Sequence, residues 1–198
     1  MTTRDHRSTQ MDADPISTLR SDPILGRLVD EHGPLTIAPA EDTFARLVRS
    51  IISQQVSTAS ARAIRERVFD RFEITPESIV AASREDLRDA GLSSQKAEYV
   101  QNVAEAYLEH GYSHDYFVEM SDEEVTTELT RIRGVGDWTA RMFLMFCLGR
   151  EDVFPVEDLG IRKGMWSLFH DEMTRGEMRE RAKPWRPYRS YASLYLWR

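Results

Sequence analysis

The stretch that decides the fold of this chain is LTRIRGVGDWTA, residues 129–140. Two glycines separated by one apolar residue stand between a segment that begins with acidic capping residues and a segment that is mostly apolar. Glycine allows positive φ and close backbone approach, so the pattern predicts a tight reversal between two helices, with Val135 anchored in the core. The amides of the turn and of the next helix's first turn then face outward, where the helix dipole favours an anion such as a phosphate.

An ordinary helical hairpin explains the same letters. In that interpretation Gly134 ends the first helix and Asp137 caps the second, and no ligand is involved. The GVG sequence by itself leaves both interpretations open.

The rest of the chain carries helix signals throughout and almost no strand signals. Candidate N-caps occur at Asp14, Asp22, Thr75, Ser93 and Ser121, several of them followed by proline or acidic residues. Helices are predicted over 57–72 and 95–110, and a third helix is indicated by apolar residues at helical spacing, namely Phe44, Leu47, Val48, Ile51 and Ile52. The sequence therefore predicts an all-α protein.

Composition restricts the class of protein. The 198 residues are 41% hydrophobic and 30% charged, which is typical of a globular chain, and the longest apolar run, 142–148, is far too short to span a membrane. Residues 1–14 are polar and lack a signal sequence, so they are predicted to be a disordered tail. With one cysteine, Cys147, and no histidine at a metal-ligand spacing, we expect no disulfide, no side-chain metal site and a cytoplasmic location.

The net charge of −7 at first argues against nucleic acid as a partner. The positive charge, however, is concentrated in two segments. Residues 173–198 carry seven Lys or Arg against two Glu, and residues 44–71 carry six Arg against two acids, whereas residues 113–130 carry six acids and no base. Arginine outnumbers lysine 23 to 3, which suits phosphate binding but is equally typical of genome composition or a salt-adapted surface.

Four segments together resemble the HhH-GPD superfamily of DNA glycosylases. The hairpin stretch resembles the family's helix-hairpin-helix, and VFPVEDLGIR at 153–162 resembles the loop and aspartate that follow it. IISQQVS at 51–57 resembles a helix-to-helix turn that faces DNA, and 185–197 resembles the closing segment of the AlkA-like group, the 3-methyladenine DNA glycosylases II. The four segments occur in the family's order over about residues 41–198, which is far more specific than any one of them.

The resemblance implies a two-lobed all-helical fold, with 15–40 and 150–198 in one lobe, 41–149 in the other, and DNA across the cleft. It implies hydrolysis of the N-glycosidic bond of alkylated purines, of the 3-methyladenine and 7-methylguanine type, in damaged double-stranded DNA. Asp158 is the implied catalytic residue, because a carboxylate near C1′ stabilises a developing oxocarbenium ion. An isolated Asp there would be interpreted as a helix N-cap, a role compatible with catalysis, and Glu157 is the rival acid.

Trp138 stands where bifunctional relatives carry a lysine nucleophile. An indole cannot form a Schiff base, so no strand cleavage is expected. Trp138 and Trp197 match aromatic positions of the base pocket in AlkA-like enzymes, where a ring attracts a cationic alkylated base by about 0.5–2 kcal/mol. Tyr191 and Met142 are further candidates for the pocket wall, and the alternative for both tryptophans is a place in the core.

The resemblance also implies DNA contacts, with Gln55 filling the gap left by a flipped nucleotide. No cofactor is expected, and a four-cysteine iron–sulfur cluster cannot form with one cysteine. The other implied DNA-binding residues are Gly134, Val135, Gly136 and Thr139 of the hairpin, together with Arg186 and Arg189 as phosphate contacts. The main-chain carbonyls of Thr130, Ile132 and Val135 are the implied ligands of a structural Na⁺ or K⁺ ion.

The sequence also departs from the family's pattern. Arg133 replaces the proline usual before GVG, and only about forty residues precede the helical core, so the β-rich N-terminal domain of full-length AlkA proteins is expected to be absent and the base pocket more open. Two alternatives stay open: the same scaffold acting on uracil, hypoxanthine or an oxidised purine, and a non-catalytic protein that binds bent or damaged DNA. A monomer with no membrane association is expected in each case.

Overall fold

The computed structural model describes residues 14–198, and helices account for most of them. No strand occurs within these residues, so the all-α prediction is confirmed. The tail predicted over 1–14 lies outside the described residues except for Asp14, which caps the first helix. The helices are α1 (Pro15–Arg20), α2 (Gly26–His32), α3 (Thr43–Ser53), α4 (Thr58–Arg71), α5 (Pro76–Ala81), α6 (Arg84–Asp89), α7 (Ser94–His110), α8 (His114–Val118), α9 (Asp122–Thr130), α10 (Asp137–Phe146), α11 (Leu159–Phe169), α12 (Arg175–Arg181) and α13 (Arg189–Leu196), with a 3₁₀ turn at Lys183–Trp185.

The helices pack around two hydrophobic cores, which define two lobes. Buried residues between Phe44 and Val153 form the first core, and α3, α7 and α10 are prominent in it. The second core combines α1 and α2 with buried residues from 154 to 196, so segments from both sides of the first core meet in one lobe. Trp197 packs against both cores and therefore lies where the lobes meet.

Capping side chains set most of the helix starts. Asp14, Thr75, Ser93 and Ser121 each accept a backbone N–H bond from the first turn of a helix, as the sequence predicts. Asp22 does not cap α2; it accepts two backbone N–H bonds in the turn before that helix. The helices predicted over 57–72 and 95–110 are α4 and α7, whose ends differ from the prediction by one residue or less.

The α9–α10 hairpin contains the turn that the two glycines predict. Gly134 has φ of +109°, and a Cβ there would overlap the Tyr99 ring, so both the conformation and the space require glycine. Val135 is buried in the first core. The ordinary-hairpin interpretation placed the caps wrongly, because α9 ends at a C-cap on Arg131 and the N-cap of α10 is Gly136.

Helices α11 and α13 cross at Gly164. A Cβ at this position would overlap the backbone carbonyl of Leu196, so the crossing depends on the missing side chain. The contact fixes the start of α11 relative to the end of α13, and these two ends flank the candidate site. Within residues 14–198, no helix has both the length and the apolar character that a bilayer span requires.

Candidate active site

A groove of about 740 Å³ is lined by the α3–α4 turn, the start of α10 and the start of α11. Its walls include Gln55, Gly136, Trp138 and Asp158. The structure thus brings together four residues that span more than a hundred positions of the sequence. Asp158 is half-buried and opens to the same groove as the glycine turn, which is the arrangement that a catalytic carboxylate beside a bound strand needs.

Asp158 accepts three N–H hydrogen bonds. Its Oδ1 accepts from the backbone N–H of Ile161 at 2.9 Å, as the N-cap of α11, and from Trp197 Nε1 at 2.8 Å. Its Oδ2 accepts from Trp138 Nε1 at 2.7 Å. All three donors are uncharged, and no ion pair to Asp158 occurs among residues 14–198, so the carboxylate is oriented without being neutralised. The capping role of Asp158 is therefore compatible with the catalytic role that the sequence predicts for it.

The two tryptophans use their N–H edges on Asp158 and keep their ring faces for other contacts. Trp138 is half-buried and lines the groove directly. Trp197 lies on the other side of Asp158, with its ring stacked on Phe146 at 6.0 Å between centroids and packed against Gly160. Trp197 also lines a separate cavity of about 570 Å³ rather than the groove itself. Both indoles therefore touch the candidate catalytic residue, but only Trp138 faces the groove.

Glu157, the rival acid, is held by two arginines. Arg141 Nε lies 3.0 Å from Glu157 Oε2, out of line for a hydrogen bond but close enough for an ion pair, and Arg179 Nη2 lies 3.2 Å from Oε1. Because two guanidinium groups balance its charge, Glu157 is a poorer candidate than Asp158 for stabilising a cation in the groove. Trp138 and Arg141 are three residues apart on α10, so this helix holds two successive carboxylates.

The N-terminus of α10 has no side-chain cap. Its N-cap is Gly136, whose exposed backbone lines the groove. The N–H groups of a helix's first turn have no partner within the helix, so they are available to an anion here. Gln54 secures the turn from α3, because its Nε2 donates to the Gly134 carbonyl and to Thr139 Oγ1, each at 3.0 Å.

Gln55 is exposed at the α3–α4 turn with φ of +54°, in the left-handed region that side chains other than glycine seldom adopt. Such a conformation costs about 1 kcal/mol or more and is concentrated at functional turns. Two exposed apolar side chains flank the groove near it, Val56 at 39% and Leu159 at 55% exposure. The rim of the groove thus carries one projecting amide and two apolar side chains in contact with water.

Met142, predicted to line the base pocket, does not line the groove, whereas Thr139 lines it with a side chain that is almost fully buried. Met142 is only 6% exposed and belongs to the first core, and Thr139, predicted to bind DNA, has its side chain buried against Gln54. Tyr191 donates its hydroxyl to Glu151 at 3.1 Å, and burial raises the pKa of Tyr191. The face of α10 that carries Met142 and Thr139 points into the protein, which the sequence pattern alone does not reveal, and Tyr191 is half-buried on α13 outside the lining of the groove.

Arg186 and Arg189 are also placed away from the groove. Arg186 Nε pairs with Asp152 at 3.1 Å, while Arg189 pairs with the same carboxylate at 2.6 Å and donates to the Asp152 carbonyl at 3.0 Å. Arg189 is therefore committed to holding the 150–153 segment, and its predicted role in phosphate binding is not supported. The sequence gives no sign of the pairing with Asp152, because that residue lies more than thirty positions from both arginines.

Three side chains that build the site carry no clear signal in the sequence. Gln54 connects the α3–α4 turn with the hairpin, although nothing in its neighbourhood distinguishes it from Gln55. Lys96 donates to the Ile52 carbonyl at 2.6 Å behind that turn, and burial lowers the pKa of Lys96. Arg141 has no motif of its own, and only its spacing of three residues from Trp138 indicates that it shares a helix face with the groove.

The cysteine, the possible metal ligands and the hairpin carbonyls are further groups that could take part in chemistry or binding. Burial raises the pKa of the Cys147 thiol to about 12, so this side chain is a core residue and not a nucleophile. Within the described part of the chain, no group of three His, Cys, Asp or Glu side chains could hold a metal ion. Of the carbonyls predicted to bind a monovalent cation, that of Ile132 accepts from Val135 N–H at 3.0 Å, which leaves it a second lone pair.

A helix-hairpin-helix whose uncapped helix start opens on a groove with an oriented aspartate defines a class of base excision enzymes. Residues 48–187 match the family described as HhH-GPD superfamily base excision DNA repair protein. The chain belongs to this family.

Individual relatives agree with the family assignment. DNA-3-methyladenine glycosylase 1 of Schizosaccharomyces pombe is 32% identical over 196 residues, covering 88% of this chain and 79% of the relative. DNA-3-methyladenine glycosylase 2 of Escherichia coli is 30% identical over 185 residues, covering 87% of this chain but only 63% of the relative. The solved structure of S. pombe 3-methyladenine DNA glycosylase (Mag1) in complex with abasic DNA has a TM-score of 0.85 at 30% identity, covering 92% of this chain and 94% of that chain.

Proposed function

We propose that this chain is a monofunctional DNA glycosylase that removes alkylated purines, of the 3-methyladenine and 7-methylguanine type, from duplex DNA and so initiates base excision repair. The observation that carries the proposal is the carboxylate of Asp158, held by two indole N–H groups and a helix N-terminus beside an uncapped hairpin helix. The names of the relatives, which are 3-methyladenine glycosylases, support the choice of lesion. The test is release of methylated bases from alkylated duplex DNA, measured by chromatography.

The reaction breaks the bond between C1′ and the base nitrogen. The bonding electron pair leaves with the alkylated base, which was cationic and departs neutral, while positive charge develops on C1′ and the ring oxygen of the sugar. Asp158 stabilises that charge through space, and its orientation by fixed donors means that little reorganisation is needed in the transition state. A water molecule then attacks C1′ and loses a proton, which leaves an abasic site.

The base is proposed to enter the groove against the ring of Trp138. A ring face attracts a cationic base, and the alkylated base is already a good leaving group, so no dedicated general acid is required. The strand is proposed to bind with a phosphate on the uncapped N-terminus of α10, around Gly136, and with Gln55 in the gap left by the flipped nucleotide. Main-chain donors make the phosphate contact independent of sequence.

The carbonyls of Thr130, Ile132 and Val135 are proposed to hold a monovalent cation when DNA is bound. The free lone pair of the Ile132 carbonyl is compatible with this role. Such an ion would add positive charge next to the hairpin and so favour the phosphate. We further propose that the protein acts as a monomer in the compartment that contains the DNA.

Borohydride trapping is expected to give no covalent protein–DNA adduct, and the abasic strand is expected to stay uncut. The reason is that Trp138, which lines the groove, occupies the position where the family resemblance implies a lysine in bifunctional enzymes, and an indole nitrogen is not a nucleophile for an aldehyde. Gel electrophoresis of lesion-containing duplex with borohydride present measures both outcomes. Trp138→Lys serves as a reference for an amine at that position, and an adduct with the unaltered chain would contradict monofunctional chemistry.

Arg141→Met is expected to lower the rate of base release about tenfold, which corresponds to about 1.4 kcal/mol. Without Arg141, the Glu157 carboxylate keeps one partner, Arg179, on an exposed side chain, so the groove that is proposed to bind DNA loses one positive charge. Single-turnover kinetics measures the effect. Arg71→Met, which removes an arginine paired with Asp86 at 2.8 Å, is the matched control.

The double variant Arg141→Met with Glu157→Gln shows whether Arg141→Met lowers the rate of base release through lost charge balance or through lost packing. Most of the lost rate is expected to return, because glutamine has no charge to balance. If the double variant stays as slow as Arg141→Met alone, Arg141 acts by packing and the electrostatic explanation is wrong.

A further inference from the structure

Three arginines of α3 and α4 lie together without an acidic partner. They are Arg46, Arg49 and Arg65, and none forms an ion pair or a side-chain hydrogen bond with any residue from 14 to 198. Burial and, less strongly, the positive charges of Arg49 and Arg65 lower the pKa of Arg46. The neighbouring arginine of α4, Arg62, differs in being paired with Glu66 at 2.8 Å.

Aromatic rings hold two of these guanidinium groups in place. Arg46 Cζ lies 4.5 Å from the centroid of the Phe146 ring, and Arg49 Cζ lies 4.9 Å from the centroid of the Phe69 ring. Stacking occupies the face of a guanidinium and leaves its N–H edge free to donate. In Arg46 the Nε is buried and has no hydrogen-bond partner within residues 14–198, which is costly.

The position of the cluster relates it to the groove. α3 and α4 are joined by the turn that lines the groove, and Phe146, beneath Arg46, stacks on Trp197, which donates to Asp158. The cluster is thus connected to the proposed site through the two helices that the turn joins and through the stack of Phe146 on Trp197. The three positive charges repel one another. They are kept together without a neutralising carboxylate although the chain has an excess of acids, with a net charge of −7.

We propose that Arg46, Arg49 and Arg65 form an anion site that binds one backbone phosphate of the DNA strand whose extruded nucleotide occupies the groove. A phosphate diester supplies both the negative charge and the several acceptor oxygens that three free guanidinium edges require, whereas a nucleobase supplies one or two neutral acceptors. The inference rests on the proposed function, since that function brings the DNA. It adds a second phosphate-binding position to the one proposed at the α10 N-terminus.

The experiment measures binding to a duplex that contains a tetrahydrofuran abasic analogue, by fluorescence anisotropy over a series of KCl concentrations. The variants are Arg49→Gln, Arg65→Gln and the two combined. The control is Arg62→Gln, which removes the same charge from α4, the helix of Arg65, but from an arginine already paired. The slope of log K against log salt is negative, and it becomes less steep by about 0.9 for each phosphate that the protein no longer neutralises. Because the arginines share one phosphate, the steepness of the slope is expected to decrease by about 0.9 in total in the double variant. In Arg62→Gln the steepness is expected to change little or not at all.

Thermal melting without DNA gives an independent readout. Removal of one charge from the cluster relieves repulsion, so Arg49→Gln and Arg65→Gln are expected to melt at or above the temperature of the unaltered chain. An unchanged salt slope in the double variant, or a decrease equal to that of Arg62→Gln, would overturn the phosphate site.

Different measurements test the phosphate site and the proposed glycosylase function. Single-turnover base release at saturating enzyme is expected to persist in the double variant, because the cluster does not touch the reacting atoms. If the unaltered chain releases no methylated base, the proposed function fails, while the salt slope still decides whether the cluster binds phosphate.

Discussion

Asp158→Asn is expected to lower the rate of methylated-base release by about 10² to 10³ while leaving the affinity for an abasic duplex within a few-fold of that of the unaltered chain. The effect follows from removing the negative charge that stabilises the developing cation at C1′. Asparagine retains an oxygen for the backbone N–H of Ile161, so the cap of α11 survives. Its amide NH₂ cannot accept from an indole, however, so one of the two bonds from Trp138 and Trp197 also disappears.

A matched control separates catalysis from capping. Asp42 caps α3 by accepting from the backbone N–H of Ala45 at 2.8 Å, and Asp42→Asn makes the same chemical change at a helix start away from the groove. Base release by Asp42→Asn is expected to match that of the unaltered chain. Turnover by Asp158→Asn within threefold of normal would mean that the carboxylate is structural. Tight lesion binding with no release by the unaltered chain would favour the non-catalytic alternative.

Gly164→Ala is expected to lower the free energy of unfolding by about 3 kcal/mol, at the upper end of the usual cost of overpacking. The added Cβ would meet the Leu196 backbone carbonyl, which cannot rotate away as a side chain could, so α11 and α13 must separate. In a chain of this size the change corresponds to a fall in Tm of about 6 to 12 °C. Calorimetry or circular dichroism measures it. Activity should fall as well, since Asp158 and Trp197 lie at the neighbouring ends of these helices.

Gly176→Ala is the control for that substitution. Gly176 lies in α12, and the nearest atom to an added Cβ is Thr174 Oγ1 at 3.9 Å. Alanine is the better helix former, so stability is expected to stay the same or rise by up to about 1 kcal/mol. Equal Tm values for the two variants would contradict the close crossing at Gly164.

The sequence predicts those parts of this protein that depend on local chemistry. The periodic apolar face of α3 is buried throughout, and Ser93 and Ser121 begin their helices because capping oxygens act over a few residues. The reversal at Gly134 belongs to the same class of signal. These features are predictable because each one is determined within a single turn.

The contacts within the site are determined by packing between distant helices and could not be predicted in this way. Trp138 and Trp197 are expected from the sequence to present rings to a base, but the structure shows that each also donates an N–H bond to Asp158, across 20 and 39 residues respectively. Met142, predicted to lie at the pocket wall, is buried in the first core and does not line the groove, because the sequence defines an apolar helix face but not which helix covers it.

The two indole bonds come from different lobes, since Trp138 begins a helix of the first core and Trp197 follows a helix that packs in the second. The orientation of the Asp158 carboxylate therefore depends on how the two lobes are aligned with each other. Exchanging one half for that of a distant homologue would have to restore both bonds together, so recombination between relatives should preserve folding more readily than turnover. We therefore expect turnover only when the two lobes come from sequences that fit each other at both of these bonds.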